Sequence, residues 1–356
     1  MSEVARISGA DLYAFGGRSV EPGQRMRVDL PIAEPYGAGT LTLPVQVVRG
    51  KTDGPRLFVS AALHGDEING VEIIRRLLRH RALKRLRGML VALPVVNVYG
   101  FMARSRYLPD RRDLNRSFPG SSTGSLAARL AHLVMTQLVA RCTHGVDLHT
   151  AAVDRSNLPQ IRADLGDEQT RRLSLAFGAP VVIDAQVRDG SLRQSVSDLG
   201  MPMLLYEAGE ALRFDEVCIR AGLRGLLRVM AELGMVPAGA SPRTRVEPVV
   251  VKRSRWVRAP SSGVLRNRAR LGAVVEKGQL LGRLADPTGD DEMVIEAPCS
   301  GVLIGRTQIP LLNEGDAAYH IASFDDSADP EESVMNLQNE LDPEGRRGPA
   351  GEPPIS

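Results

Sequence analysis

Residues 60–78, SAALHGDEINGVEIIRRLL, decide how the rest of the chain is read. An apolar run of strand length, Leu57–Leu63, leads into His64-Gly65-Asp66-Glu67. From Gly70 onward Val71, Ile74, Leu77 and Leu78 recur at helical spacing. A histidine and a glutamate three residues apart, where a strand gives way to a helix, can close on one metal ion. Gly65 is expected to let the backbone bend tightly between them. Asp66 either caps the following helix or orients a ligand. Zinc accepts imidazole nitrogen and carboxylate oxygen, and a catalytic zinc usually has three protein ligands with water in the remaining position. A third ligand is therefore required downstream. Of the six histidines, His64, His80, His132, His144, His149 and His320, the one that ends a second strand is His149, in Gly145–Thr150, GVDLHT. His80 and His132 fall in Arg-rich or amphipathic helices and read as surface or interface residues.

Composition narrows the alternatives. A length of 356 residues allows one large domain or two unequal ones, and a net charge of +3 implies no polyanionic partner. Lysine stands only at Lys51, Lys84, Lys252 and Lys277, so the basic residues are mainly arginines. They are scattered, and aromatic residues make up only 4%, which argues against nucleic-acid binding. Cys142, Cys218 and Cys299 show no CxxC spacing and read as buried thiols in a reducing compartment. The first residues, MSEVARISGADLY, lack a hydrophobic signal core, and no apolar run reaches membrane length. The expectation is a soluble cytoplasmic protein without membrane contact.

Residues 1–54 read as edge strands. From 55 to 235 strand-like runs (Leu57–Leu63, Met89–Val98, Gly145–His149, Pro180–Asp184, Met203–Glu207) alternate with helix-like ones (Gly70–Leu83, Ser125–Arg141, Glu168–Phe177, Ser191–Leu199, Asp215–Leu233). This pattern predicts an α/β domain over 1–235, its sheet sandwiched between helices. Ligands in such sheets gather beyond the carboxyl ends of the strands, where His64, His149 and Glu207 all fall. Residues 236–247 read as a linker. In 248–324 Ala259-Pro260-Ser261-Ser262-Gly263-Val264-Leu265 recurs as Ala297-Pro298-Cys299-Ser300-Gly301-Val302-Leu303, 38 residues on. Two such β units usually pack as a pseudo-symmetric pair. This half resembles the barrel-sandwich fold of biotinyl and lipoyl carrier domains, but its hairpin, Asp286–Met293, has no lysine to modify. The module is therefore read as structural or as a lid. Residues 325–356 have little apolar material and are expected to be a disordered tail.

HGDE, then Arg106 and Asp113–Gly120 (DLNRSFPG), then DLHT, then Tyr206-Glu207-Ala208-Gly209 occur in an order that resembles the succinylglutamate desuccinylase/aspartoacylase family, within the zinc carboxypeptidase superfamily. The resemblance covers roughly residues 55–235. It implies a zinc-carboxypeptidase-like mixed sheet and one zinc per chain held by His64, Glu67 and His149. It further implies that Glu207 is the general base, with Glu210 as its nearby competitor. An arginine polarises the scissile carbonyl, here Arg106 or Arg104. Asn115 and Arg116 bind the carboxylate of the substrate's amino-acid part. Arg162 and Arg193 lie where the family makes further substrate contacts, or are ordinary surface arginines. Tyr319 either reaches the substrate or packs in the core. Of the five arginines at 104, 106, 111, 112 and 116, Arg111 and Arg112 fit a solvated loop. The expected activity is deacylation of an N-acyl amino acid or a related small N-acyl compound, with a carboxypeptidase or a non-catalytic binding protein as the rivals. A homo-oligomer is compatible with the sequence.

Overall fold

A computed structural model describes residues 7–33, 39–185, 188–244, 246–289, 291–323 and 330–341. The main sheet holds 13 strands. In chain order they are β1 Arg25–Ala33, β2 Leu41–Arg49, β3 Thr52–Ala61, β4 Arg87–Leu93, β5 His144–Ala151, β6 Arg155–Ala163, β7 Val181–Asp184, β8 Met203–Glu210, β9 Val249–Val251, β10 Arg253–Arg258, β11 Val274–Val275, β12 Gly301–Thr307 and β13 Ala317–Ser323. Across the sheet the order is β10-β13-β12-β6-β8-β5-β3-β4-β2-β1, with β7 and β9 branching from β6 and β11 lying beside β12. The helices are α1 Asn69–Arg79, α2 Val98–Ala103, α3 Leu126–Gln137, α4 Glu168–Phe177, α5 Leu192–Ser197, α6 Glu216–Glu232 and α7 Pro330–Leu341.

Strands β4, β3, β5 and β8 run parallel, so their carboxyl ends share one edge. Side chains alternate between the faces. On one face Leu57, Val59, Val146, Leu148, Leu204 and Tyr206 pack against α1, α4 and α6. Gly70 sets the approach of α1, since a Cβ there would lie 2.6 Å from that of Ala61 and 2.8 Å from that of Leu148. The opposite face is divided. One end is apolar, with Phe58, Met89, Val91 and Met203 under α3 and α5. Further along, Leu158, Val181, Ile183, Val302 and Ile304 form a second apolar cluster. Between these blocks the strand register lines up Ser60, Asp147, His149, Glu207, Gln160 and Arg162. The fold thus reserves a polar strip between two apolar blocks of the sheet.

Strand β6 is absent from the sequence expectation because Pro159 interrupts it, and proline removes a ladder donor. It is accommodated where the β6–β8 register shifts, between Glu207 and Gly209 on β8 and Asn157 and Gln160 on β6. β6 also pairs with β12, which carries the main sheet into the C-terminal residues. A four-stranded sheet (Gly263–Asn267, Leu280–Ala285, Glu292–Glu296, Leu311–Leu312) faces this extension. The two copies of the repeat enter opposite sheets, and their equivalent leucines, Leu265 and Leu303, meet in one core with Leu281, Leu284, Tyr319 and Ile321.

Part of the expected disordered tail is a helix. In α7, Leu337 joins the core under α6 and Val334 joins the cluster beside β9, while Glu340 meets Arg224, Arg228 and Thr244. Few apolar residues suffice because Val334 and Leu337, at helical spacing, enter cores that already exist, while Met335 stays exposed. Residues 324–329 and 342–356 lie outside the described residues. The three cysteines are free, Cys142 and Cys218 buried and Cys299 only partly so. Among the described residues no helix is long and apolar enough to cross a membrane.

Candidate active site

His64 follows β3, Glu67 precedes α1, and His149 lies near the end of β5. Nδ1 of His64 is 2.6 Å from Oε1 of Glu67, and Nδ1 of His149 is 2.7 Å from Oε2 of the same carboxylate. All three side chains are buried, and one ligand atom from each lies within 4.8 Å of the others, so the group could hold a metal ion. The outer nitrogens support that use. His64 Nε2 faces Asp113 Oδ1 at 3.2 Å, and His149 Nε2 faces Asp147 Oδ2 at 2.7 Å. Each carboxylate can accept an N–H from Nε2, leaving the Nδ1 lone pair turned inward, as metal-binding imidazoles require. Ser60 Oγ donates to Asp147 Oδ1 at 2.7 Å, and Thr150 N donates to Glu67 Oε2 at 3.1 Å.

The electrostatics favour a cation. Burial opposes ionisation of Glu67, but the two imidazoles outweigh it and hold the carboxyl below the usual range. Burial also opposes protonation of His149, yet Asp147 and Glu67 raise its pKa well above the ordinary value. His64 shifts upward likewise, against burial, through Glu67 and Asp113. Positive charge is thus stabilised at both rings, whether brought by protons or by a metal.

Arg106 reaches this centre. Its Nη2 donates to Asp113 Oδ2 at 2.8 Å, and its Nη1 lies 3.5 Å from Glu67 Oε1. Arg104 instead terminates α2 in a left-handed conformation and is exposed. Glu207 is the register partner of His149 on the neighbouring strand, whereas Glu210 pairs with Ala151 and accepts from Asp154 N at 3.1 Å. Asn157 Nδ2 donates to Glu207 Oε2 at 2.7 Å, and Arg162 Nε lies 3.5 Å from Glu207 Oε1. Arg193 is buried rather than a surface residue. Its pKa falls to about 10 because of burial and then the charge of Arg162.

Other expectations change in detail. Asn115 uses its Oδ1 to accept from Leu192 N at 3.0 Å, which commits that end of the amide to the fold. Arg116 is exposed, with Nη1 donating to Asn115 O at 2.6 Å. Gly65 is needed for close approach rather than for a bend: a Cβ would fall 2.0 Å from the Gly100 carbonyl carbon. Asp66 does not cap α1, whose N-cap Ile68 has no side-chain bond, and its Oδ1 has no partner among the described residues.

Tyr319 is corrected from a substrate contact to a core residue. It is fully buried in the C-terminal module, and its hydroxyl bonds Asn267 Oδ1 at 2.7 Å and Leu281 O at 2.9 Å. Tyr319→Phe is expected to lower stability by about 1–2 kcal/mol, the usual loss for a buried hydrogen bond, with kcat/KM unchanged. Denaturant titration beside steady-state kinetics checks this, and a kinetic defect without a stability loss would contradict it.

Sequence reasoning missed Asp113, Asp147 and Asn157. Asp147 had a signal, since it stands two residues before His149 on one strand and so shares its face. Asp113 lies within the quoted DLNRS run but is fixed to His64 only by the folding of a long loop. Asn157 had none, because β6 was not read as a strand.

Comparison with known proteins bears on the family and the fold. The model for the succinylglutamate desuccinylase/aspartoacylase catalytic domain matches residues 53–233. Over 161 residues the chain is 32% identical to the N-alpha-acetyl-L-2,4-diaminobutyric acid deacetylase of Halomonas elongata, a stretch that is 43% of this chain and 47% of that enzyme. The match therefore spans about half the length of that curated relative. In fold, the chain is similar to the product-bound ectoine utilization protein EutE (DoeB) of Ruegeria pomeroyi, with TM-score 0.78, 23% identity, and coverage of 86% of this chain and 98% of that one. It is also similar to a succinylglutamate desuccinylase/aspartoacylase of Rhodobacter sphaeroides, with TM-score 0.77, 23% identity, and coverage of 91% and 100%. Because the matched catalytic-domain model takes in the inward-facing histidines and Glu207 within one continuous run, this chain belongs to the succinylglutamate desuccinylase/aspartoacylase family.

Proposed function

We propose that the protein is a zinc-dependent amidohydrolase that removes the acyl group from a small N-acyl amino acid. The observation that carries this reading is the convergence of two imidazole Nδ1 atoms on the buried Glu67 carboxylate, with Glu207 in register beside His149. Kinship with a deacetylase of an N-acetylated amino acid supports the reaction class. His64, Glu67 and His149 would hold one zinc ion, which supplies Lewis acidity at the scissile amide when bound. Glu207 takes a proton from the attacking water and delivers it to the departing amine. Arg106, held by Asp113, faces the oxygen on which negative charge develops. Arg116 and Asn115 Nδ2 anchor the carboxylate of the amino-acid part. The rival peptidase reading needs an open groove, whereas β6, beside Glu207's strand, is joined directly to the C-terminal module.

The reading is tested by screening the zinc-loaded protein against N-acetyl, N-succinyl and longer N-acyl amino acids, with short peptides alongside. Turnover of peptides but of no N-acyl amino acid would replace it with the peptidase. Two further outcomes are expected. Arg116→Ala should raise KM roughly 10–100-fold with kcat little changed, the signature of lost uniform binding. An amide analogue without the carboxylate should be insensitive to the change. Zinc binding to the metal-free protein at neutral pH should release protons, because His64 and His149 hold theirs more tightly than free histidine. Affinity should therefore rise with pH through the neutral range. Calorimetry in buffers of different ionisation enthalpy measures this, and buffer-independent heats would contradict it.

A further inference from the structure

Ala208, the residue after Glu207, has no register partner on either side of β8. Along β5 the pairing passes from Glu207 with His149 to Glu210 with Ala151. Along β6 it passes from Glu207 with Gln160 to Gly209 with Asn157. A bulge of this kind bends its strand and re-aims the side chains beside it. The bulged backbone is held from outside the sheet by Asn69, the first residue of α1, which stands two residues after Glu67. Asn69 is 2% exposed. Its Nδ2 donates to Ala208 O at 3.2 Å, and its Oδ1 accepts from Asp215 N at 3.0 Å. Gly209 leaves room for it, since a Cβ there would fall 2.6 Å from Asn69 Nδ2.

The two contacts demand an amide. A main-chain carbonyl accepts and a main-chain N–H donates, so the bridging side chain must offer one donor and one acceptor. An ionised carboxylate of the same size supplies no donor, and an alkyl chain supplies neither. Either would leave a buried backbone group unmade, which native structures seldom tolerate. Main-chain bonds run beside the bridge. Leu212 N donates to Asp66 O at 2.8 Å, and Ala211 N donates to Ala151 O at 3.0 Å. Asp215 Oδ1 in turn accepts from Val217 N and Cys218 N and so starts α6. The turn that carries Glu67 and the strand end that carries Glu207 are thus one hydrogen-bonded unit, with Asn69 as its side-chain bridge.

We infer that Asn69 is a positioning residue for the reaction. It fixes the bulge that aims the Glu207 carboxylate at the centre formed by His64, Glu67 and His149, and it acts through Glu207 rather than on the substrate. The inference deepens the proposed hydrolase reading and rests on it for the role of Glu207.

The test is a double-mutant cycle on the zinc-loaded protein with an N-acyl amino acid as substrate. Asn69→Asp keeps the acceptor for Asp215 N and removes the donor to Ala208 O. It should lower kcat roughly 10–100-fold, as expected for a slightly misplaced catalytic group, with KM and zinc content unchanged. In a Glu207→Gln background the same change should cost roughly 2-fold or less, because the group that Asn69 places is already gone. Equal losses in both backgrounds, or a lowered melting temperature with kcat intact, would overturn the inference. Gly209→Ala presses on the same bond from the other side, and it takes the place of Asn69→Asp in the cycle if that variant does not fold. A readout independent of turnover separates this inference from the hydrolase reading. In the metal-free protein, Asn69→Asp should move the NMR signal of the Glu207 carboxylate carbon and quicken amide exchange over residues 208–212. If no N-acyl compound is hydrolysed but the carboxylate signal moves, the positioning stands and the hydrolase reading falls. An unmoved signal with unchanged exchange overturns the positioning, whatever the activity.

Discussion

Substitution of His149 by alanine is expected to yield protein without tightly bound zinc and with no hydrolysis above background. The site offers three inward ligands, and Glu67 already divides its two oxygens between the two histidines. Removing one imidazole leaves two ligands, too few for a catalytic zinc. It also strands Asp147, a fully buried carboxylate whose remaining side-chain bond is from Ser60. Breaking a buried ionic pair in this way costs about 3–5 kcal/mol, so part of any loss could reflect unfolding. Asp147→Asn separates the two effects, since it keeps all three ligands and weakens only the orientation of His149. Its metal affinity should fall about 10–100-fold, as is usual for such outer partners, with activity restored at high zinc. Elemental analysis of folded His149→Ala decides the matter, and full zinc occupancy would remove His149 from the ligand set.

How much of this was legible in the sequence follows from which contacts are local. His64, Glu67 and His149 could be read because each stands at the end of an apolar run, and parallel strands bring such ends to one edge. The α/β core was legible for the same reason, as its strands are continuous apolar segments. Asp147 was readable in principle from strand periodicity. Beyond Glu207, Arg162 was named only through the family resemblance, and Asn157 was not named at all. Both lie on a strand disguised by Pro159, and the bulge there shifts the pairing so that Asn157 reaches Glu207. The C-terminal module was expected to contribute Tyr319, but adjacent strand residues point to opposite faces. Tyr319 therefore enters the module's own core and His320 the other side. A one-residue difference in register cannot be recovered from composition, because both residues are compatible with either face. The α7 helix was hidden for a related reason. Its order comes from Val334, Leu337 and Glu340 meeting distant partners, not from its own apolar content.

Glu207→Gln is expected to lower kcat by about 10²–10⁴-fold, the usual range for loss of a general base, with zinc retained and KM little altered. The substitution is chosen for what it preserves. Asn157 Nδ2 donates to Glu207 Oε2, and the carbonyl oxygen of glutamine can accept the same bond. The side chain should therefore stay in place on β8 while losing the ability to take a proton. Asn157→Leu makes the complementary change, leaving a carboxylate that can accept a proton but is no longer held. It should cause a smaller fall in kcat, because Arg162 still lies 3.5 Å from the other oxygen. A proton-transfer role therefore orders the two variants, Glu207→Gln below Asn157→Leu, whereas a purely structural role would affect folding and metal content in both. Near-parental turnover by zinc-bound Glu207→Gln would move the base elsewhere. Glu210 would be the next candidate, although it sits past the bulge opposite Ala151 with one oxygen already bonded to Asp154 N. To serve as the base it would have to release that bond and turn back toward His149, so activity from that position would require the Glu210 loop to rearrange when substrate binds.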